Sequence, residues 1–262
     1  VKVVTAVVEP KLTTAEAEKI APRMARLGAW TTRFELSERN YWGANIWLPA
    51  RYVNGTLLQP GQRFEWFSAV GPVVPSRGFG SGGVIKGDHS EPTGAIGGGM
   101  CSSSTTLFNA ALRAGLEMGA RANHTYYIDR YPLGLDATVW KEGGAVQTMS
   151  FRNDMKTPVL IRGWGTRSGG IGWVHYEIWG VRDGRTVAIS RPTVRNVIPA
   201  TTYEKETTAL APGVRKQTEW AMRGMDVWVT RVVRAGDGRV IHRTTYYSHY
   251  KKWDGIILVG AR

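Results

Sequence analysis

The chain is short of cysteine: among its 262 residues there is one, Cys101. That excludes an internal disulfide and any zinc site built from several cysteines, and no metal site is expected. Long apolar runs are also missing. None approaches the roughly 18 residues that a membrane-spanning helix needs, so the membrane is expected as a partner only through an anchor outside this chain. No signal peptide is visible. The chain starts at Val1 and enters a strand-like VKVVTAVV, so it reads as a fragment with any targeting segment outside it. Phosphate-binding loops are absent too, since neither GxxxxGK[ST] nor a GxGxxG in a βαβ setting occurs. Acidic residues are few beside basic ones, 21 against 34, giving a net charge of +13. Such a surface attracts polyanions such as nucleic acid, anionic lipid or a cell-wall polymer. The basic residues are scattered, however, and no nucleic-acid motif accompanies them, so nucleic acid is not an expected partner. A soluble basic surface without any polyanion partner fits the composition equally well.

What is present is enough for a packed core. The apolar fraction of 42% and 11 tryptophans describe a globular chain of one large or two smaller domains. Residues 1–12 read as a strand and a turn, and Thr13-Thr14-Ala15-Glu16 as the capping box of a short helix that Pro22 kinks or restarts. WTTRFEL (30–36) suggests a strand. NYWGANIWLPARYVNG has helical apolar spacing and ends at Asn54-Gly55, although Pro49 conflicts with it. Pro60-Gly61 turns into RFEWFSAV, read as a strand. Gly71 to Met100 is glycine-rich and aperiodic, the mark of a functional loop. A helix is expected from Cys101 to about Met118. Beyond it ANHTYYI, LDATVW, AVQTMSF, TPVLIRGW, GWVHYEIWG and RTVAIS carry β-formers. A boundary is expected in RPTVRNVIPA (191–200). After it VWVTRVVR and RVIHRTTYYSHY, joined by Ala235-Gly236-Asp237-Gly238, form a hairpin.

Cys101 ends the glycine run GAIGGGM and opens the helix SSSTTLFNAALRAGLEMG. A thiol in the first helical turn meets the positive end of the helix dipole and free N–H groups, and both favour thiolate. Glycine before it lets a substrate backbone approach. The alternative is a small, packed apolar residue. A cysteine nucleophile needs a base. Of the five histidines, His175 sits among strand aromatics, His242 and His249 lie in the C-terminal segment, and His89 lies in the glycine-rich loop. His124 follows the helix closely enough to fold back onto Cys101, and its ring is expected beside the sulfur. Asp136 can accept from the imidazole or merely cap a turn. The run Ser102 to Thr106 reads as N-capping or as substrate-binding hydroxyls. The N–H groups of Cys101 to Ser103 suggest an oxyanion hole. No candidate nucleophile or paired base lies in 201–262, so that module is expected to be dispensable for chemistry but not for wall attachment.

Three segments, NIWLPARYVNGTLLQPGQRFEWFSAVGP, GGGMCSSSTTLFNAALRAGLEMGARANHTYYIDRYPLGLDATVW and MSFRNDMKTPVLIRGW, resemble the VanW family over roughly residues 35–190. The resemblance implies an α+β fold: a β-rich VanW-like domain with a long helix following the cysteine, plus a small all-β C-terminal module. Residues 1–28 look like the tail of a preceding peptidoglycan-binding region, 29–195 like the VanW-like catalytic domain, and 200–262 like a G-five-type β module. It further implies a bacterial envelope protein, extracytoplasmic, that acts as an L,D-transpeptidase forming 3–3 peptidoglycan crosslinks through a cysteine. The family nucleophile falls on Cys101, the motif histidine on His124 and the GLDATV aspartate on Asp136. Gly99, Met100, Ser102, Ser103, Ser104, Thr105 and Tyr127 are the expected oxyanion and substrate-binding positions. Peptidoglycan stem peptides are the implied partners, anionic wall polymers further ones, and no cofactor is implied. The sequence departs from the family at Ser102, where Gln is usual, and at Phe67, where Asn is expected. The rival readings are a non-catalytic peptidoglycan-binding envelope protein and a cytosolic thiol hydrolase.

Overall fold

Thr13 accepts from the backbone of Glu16, and Glu16 reaches back to Thr13, so the capping box forms and starts α1 (Thr14–Ile20). The computed structural model describes residues 13–86 and 89–261; the strand expected in VKVVTAVV lies outside the described residues. A 3-10 turn at Ala21–Arg23 leads into β1 (Met24–Glu35), which starts well before the tryptophan where the sequence suggested it. Helix α2 (Ala44–Val53) follows and keeps Pro49 inside it, buried on the core face. Next come β2 (Thr56–Leu58), β3 (Arg63–Glu65) and α3 (Trp66–Val70). RFEWFSAV was expected as one strand and is half helix. The Glu65 carboxylate caps it by accepting from Ser68 N at 2.7 Å, an N-cap that favours helix over strand.

The long segment Gly71–Met100 is not a structureless loop. It contains the hairpin of β4 (Ser81–Lys86) and β5 (His89–Ile96). Glycine is what lets it pack: a Cβ on Gly98 would lie 2.2 Å from the Gly82 carbonyl carbon. Helix α4 (Cys101–Arg113) then begins at the cysteine. It ends five residues earlier than expected, because Gly115 takes φ +83° and turns the chain away. The rest is β: β6 (Glu117–Met118), β7 (Trp140–Glu142), β8 (Ala145–Gln147), β9 (Ser150–Arg152), β10 (Val159–Ser168), β11 (Ile171–Val181), β12 (Thr186–Ile189), β13 (Thr193–Ile198), β14 (Thr202–Thr207), β15 (Arg215–Glu219), β16 (Gly224–Arg234), β17 (Val240–Tyr250) and β18 (Gly255–Gly260). The fold is α+β and β-rich.

The main sheet runs β1-β11-β10-β2, antiparallel throughout. Its alternating inner residues, Val174, Tyr176 and Ile178 on β11 among them, are buried, and α4 packs against β1 and β11. Residues 102–112 of α4 are all buried, so this helix is wrapped on every side rather than amphipathic. Its closest approach is at Gly28, where an added Cβ would come within 2.4 Å of both the Ala110 carbonyl and the Ala114 nitrogen. A second sheet joins β12, β16, β13 and β17. The segment 191–200, expected as a boundary, is therefore largely β13, paired to β16 in the same sheet as β12. The hairpin of β16 and β17 forms around Ala235–Gly238, as its turn residues suggest. The third sheet orders β14-β18-β15, with β14 and β18 parallel.

Candidate active site

Residues 119–139 were expected to hold two strands, ANHTYYI and LDATVW, and hold none. At residues 135 and 137 the backbone groups bond to the side chains of α4 instead of to a sheet. Thr105 Oγ1 accepts from Ala137 N at 2.9 Å, Ser104 Oγ donates to Ala137 O at 2.6 Å and Asn109 Nδ2 donates to Leu135 O at 2.8 Å. Buried backbone groups must find partners, and here the helix supplies them. This lashes the 119–139 segment along α4 and brings His124, Asp136 and Val139 to the helix end that carries Cys101.

The three residues expected to carry the chemistry do meet. His124 Nδ1 is 2.6 Å from Asp136 Oδ2, which also accepts from the His124 backbone N–H at 2.6 Å. The second oxygen, Oδ1, accepts from Arg121 Nη2 at 3.0 Å and from the Tyr250 hydroxyl. Asp136 is thus saturated and nearly sealed from solvent. The other ring nitrogen, His124 Nε2, is buried and makes no hydrogen bond of good geometry. It stands by the Cys101 thiol, close enough for each group to shift the other's ionisation. Cys101 is partly exposed. Its sulfur lies 3.5 Å from Thr138 Oγ1 and 3.5 Å from Val139 N, and 3.4 Å from Val139 O.

The charges reinforce one another. Burial opposes ionisation of the Cys101 thiol, but the neighbouring His124 imidazole, Thr138 and the Val139 N–H outweigh it, and the thiol pKa is lowered. Burial likewise opposes protonation of His124. Its hydrogen bond to Asp136 and the nearness of the Cys101 thiol reverse this and hold the imidazole pKa well above the ordinary value. Asp136 stays ionised for the same reason: burial raises its pKa, while His124 and then Arg121 pull it down further. The arrangement favours a thiolate–imidazolium pair, which supplies a soft nucleophile and a proton donor in one place.

The hydroxyl run has a different part from the one expected. Ser102, Ser103, Ser104, Thr105 and Thr106 are fully buried. Ser102 Oγ pairs with the Tyr131 hydroxyl at 2.9 Å, Ser103 Oγ with that of Tyr176 at 2.8 Å, and Thr106 Oγ1 with Thr32 Oγ1 at 2.7 Å. These groups face the protein interior, and their hydroxyls stitch α4 to its surroundings. The N–H groups of Ser102 and Ser103 donate to the carbonyls of Gly99 and Met100, so an oxyanion hole made from them is not preformed. Met100 is the N-cap position of α4, and Gly99 before it takes φ +93°. Tyr127 lies edge-on to Tyr250, centroids 5.6 Å apart. Burial, then the charges of Asp129 and Asp136, raise its phenol pKa.

The sequence missed how much the C-terminal segment contributes. Strand β17 supplies Tyr250 to Asp136 and Ser248 Oγ to Arg121 Nη2 at 2.9 Å. Arg231, on β16 and 1% exposed, donates to the carbonyls of Leu112 and Leu116, both at 2.9 Å, and so closes the C-terminal end of the helix that starts at Cys101. The hydrogen-bond network around the candidate site therefore extends beyond residues 29–195 into β16 and β17. The alternation of β17 places these side chains, but no signal in the sequence ties them to Asp136. His175 instead bonds Thr31 and Thr166, His242 bonds Asp154, and His249 bonds Asp226; none of the three takes part.

Residues 42–179 match the family described as VanW like protein. The chain belongs to the VanW family. A relative in Bacillus subtilis (strain 168), the uncharacterized protein YoaR, is 37% identical over 139 residues, which are 52% of this chain and 43% of that protein. The chain thus matches less than half the length of that relative. Among solved structures, the G5 domain of an IgA1 protease matches 30% of this chain and 93% of its own at 16% identity, with a TM-score of 0.19. HP0197-G5 matches 29% and 97% at 18% identity, with a TM-score of 0.16. Membership of the VanW family associates the chain with the bacterial cell wall. Among the described residues no helix is long and apolar enough to cross a membrane, and no group of three or more potential metal ligands occurs.

Proposed function

We propose that this chain is an extracytoplasmic cysteine L,D-transpeptidase that acts on peptidoglycan stem peptides. The observation that carries the reading is the line Asp136–His124–Cys101, with Nδ1 of the imidazole held by the carboxylate and Nε2 left unpartnered beside the thiol. Asp136 fixes the ring and stabilises its charge, and His124 takes the proton of Cys101. The thiolate attacks the carbonyl of the third stem residue of a tetrapeptide donor. The carbon–nitrogen bond to the terminal residue then breaks, and His124 returns its proton to the departing amine. The resulting thioester is attacked by the side-chain amine of a neighbouring stem. An amide forms, the carbon–sulfur bond breaks, and the amine proton passes through His124 back to the thiol. No electrons change hands, and the overall exchange replaces one amide with another. The N–H of Cys101, which enters none of the turn bonds made by residues 102 to 104, is the donor nearest to hand for the developing oxyanion. The strongly basic composition suits a surface that rests against anionic wall polymers.

The test is formation of 3–3 dimers from tetrapeptide muropeptides, with intact-mass detection of the acyl adduct. The wild type should give both products. Cys101→Ala should give neither, and His124→Ala should fall by at least roughly a hundredfold, the usual range for losing a general acid–base. Dimer formation that survives in Cys101→Ala would refute the mechanism. A wild type inactive on free and amidated stems alike would instead favour a wall-binding role.

A further inference from the structure

Arg130 sits one hydrogen bond from the nucleophile's neighbour and has no part in the steps above. It is an exposed residue whose guanidinium is nevertheless held in place. Its Nε donates to the buried Ser102 Oγ at 3.2 Å, and its Nη2 donates to the Tyr131 hydroxyl at 3.3 Å. Those two acceptors are themselves linked at 2.9 Å. The guanidinium lies 5.0 Å from the Tyr131 ring centre, and that ring lies 5.3 Å from the ring of His124. Ser102 follows Cys101 directly. The cation is therefore anchored on Ser102, which follows Cys101, and on Tyr131, whose ring neighbours that of His124.

Its partners are what set it apart. The other arginines turned inward near the helix meet carboxylates or backbone carbonyls: Arg121 bonds Asp136, Arg185 bonds Asp154 and Asp183, and Arg231 bonds the end of α4. Arg130 is held by two neutral hydroxyls, and among the described residues no acidic side chain pairs with it. A guanidinium carries five N–H donors in a rigid plane. The two anchors use two of them. What remains is a fixed, uncompensated positive charge with a donor fork of the kind that binds carboxylates bidentately.

We infer that Arg130 forms a carboxylate subsite for the leaving residue of the donor peptide. The inference rests on the transpeptidase reading of Cys101. In a peptide whose last amide is attacked, the residue beyond the scissile bond ends in its own α-carboxylate, a few atoms from the reacting carbonyl. A guanidinium anchored on the residue that follows Cys101 holds that carboxylate and seats the last amide over the thiol. The same contact sets specificity. A donor with one more residue places an amide where the carboxylate belongs, so cleavage is directed to the final bond of the stem. The departing product, a free amino acid, leaves with the carboxylate that Arg130 held.

The experiment compares two alkylating probes on the full chain, iodoacetate and iodoacetamide. In both reactions the Cys101 thiolate displaces iodide, a carbon–sulfur bond forms and the carbon–iodine pair leaves with the iodide. The probes differ in the carboxylate that one of them carries. Any general effect of Arg130 on thiol ionisation changes both rates alike and cancels in their ratio. Arg130→Gln should lower the iodoacetate-to-iodoacetamide ratio roughly tenfold, the scale of one charge-assisted contact. A ratio that stays the same, whether the two rates fall together or not at all, would overturn the subsite. In parallel, a tetrapeptide donor is compared with its C-terminal amide and with the pentapeptide. The wild type should prefer the free tetrapeptide through a lower KM, and Arg130→Gln should erase that preference; a preference that persists in the variant would also overturn the subsite. If no peptide is turned over, the transpeptidase reading fails, while the alkylation ratio still decides whether the anion site exists.

Discussion

Tyr250→Phe removes one oxygen from the deepest part of the site and leaves the ring that packs edge-on to Tyr127. The hydroxyl does two things. It donates to Asp136 Oδ1 and accepts from Gly134 N at 3.2 Å. A buried hydrogen bond to an ionised carboxylate is worth about 1.5–3 kcal/mol. Arg121 still holds Oδ1 and His124 still holds Oδ2, so Asp136 keeps its charge and the loss should stay within that range. For a chain of this size each kcal/mol moves Tm by about 2–4 °C, which gives an expected fall of roughly 3–12 °C. The variant should also alkylate at Cys101 more slowly near neutral pH, because a less firmly held carboxylate holds the imidazolium less firmly. Thermal unfolding and iodoacetamide kinetics on the same preparations read both effects. A Tm within about 1 °C of wild type would show that the hydroxyl is not bonded to a buried charge. A normal Tm together with normal alkylation would separate β17 from the site altogether.

Asp136→Asn should shift the pH midpoint of Cys101 alkylation upward. In the wild type the thiol pKa is lowered and that of His124 is raised, so reactivity should appear as pH rises through a midpoint below about 8.5. Without the carboxylate the imidazolium is less populated and the thiolate loses its partner; an unchanged midpoint would refute the coupling. The same variant should flatten the acid limb of stability. Asp136 has a lowered pKa, so its contribution is complete above the unfolded value of about 3.9 and is lost as pH falls through the lower folded one. Gly28→Ala should destabilise the fold by about 1–3 kcal/mol, because its Cβ meets the backbone of α4 rather than a side chain that can swing away; a stability within about 0.5 kcal/mol of wild type would mean that strand and helix are not that close.

The residues of the site were legible where their chemistry is local. A thiol after a glycine run, at the start of a helix with a hydroxyl-rich first turn, is a pattern written in adjacent residues, and so is the N-cap of α1. Asp136 and His124 were legible as candidates because a short return from a helix brings both within reach of its first turn. Strands β1, β10 and β11 of the main sheet were legible too, since alternation in GWVHYEIWG is the period of a half-buried strand, whereas the three-residue β2 was not read. What failed were readings of segments whose backbone groups bond to side chains rather than to a neighbouring strand. LDATVW alternates as a strand does, yet its groups bond to Ser104, Thr105 and Asn109. Side-chain hydroxyls that bond to a distant backbone leave no periodic trace.

The same limit explains why the C-terminal contribution was hidden. Tyr250, Ser248 and Tyr246 lie at alternate positions on β17, and their burial along one face is what a strand packed on a core requires. Nothing in that period says which core. The structure supplies the answer through groups of long sequence separation: Tyr246 meets Phe108 edge-on at 5.6 Å, Tyr250 meets Asp136, and Arg231 on the neighbouring strand closes the far end of α4. One helix is therefore held at both ends by different parts of the chain. The Leu112 carbonyl at its C-terminal end accepts from Arg231 of β16, and its N-terminal turn carries the cysteine near a carboxylate that β17 supports. A shift of that sheet along α4 would unseat Arg231 and Tyr250 together. The position of the acid that orients His124 is thus tied mechanically to the position of the helix that carries the nucleophile.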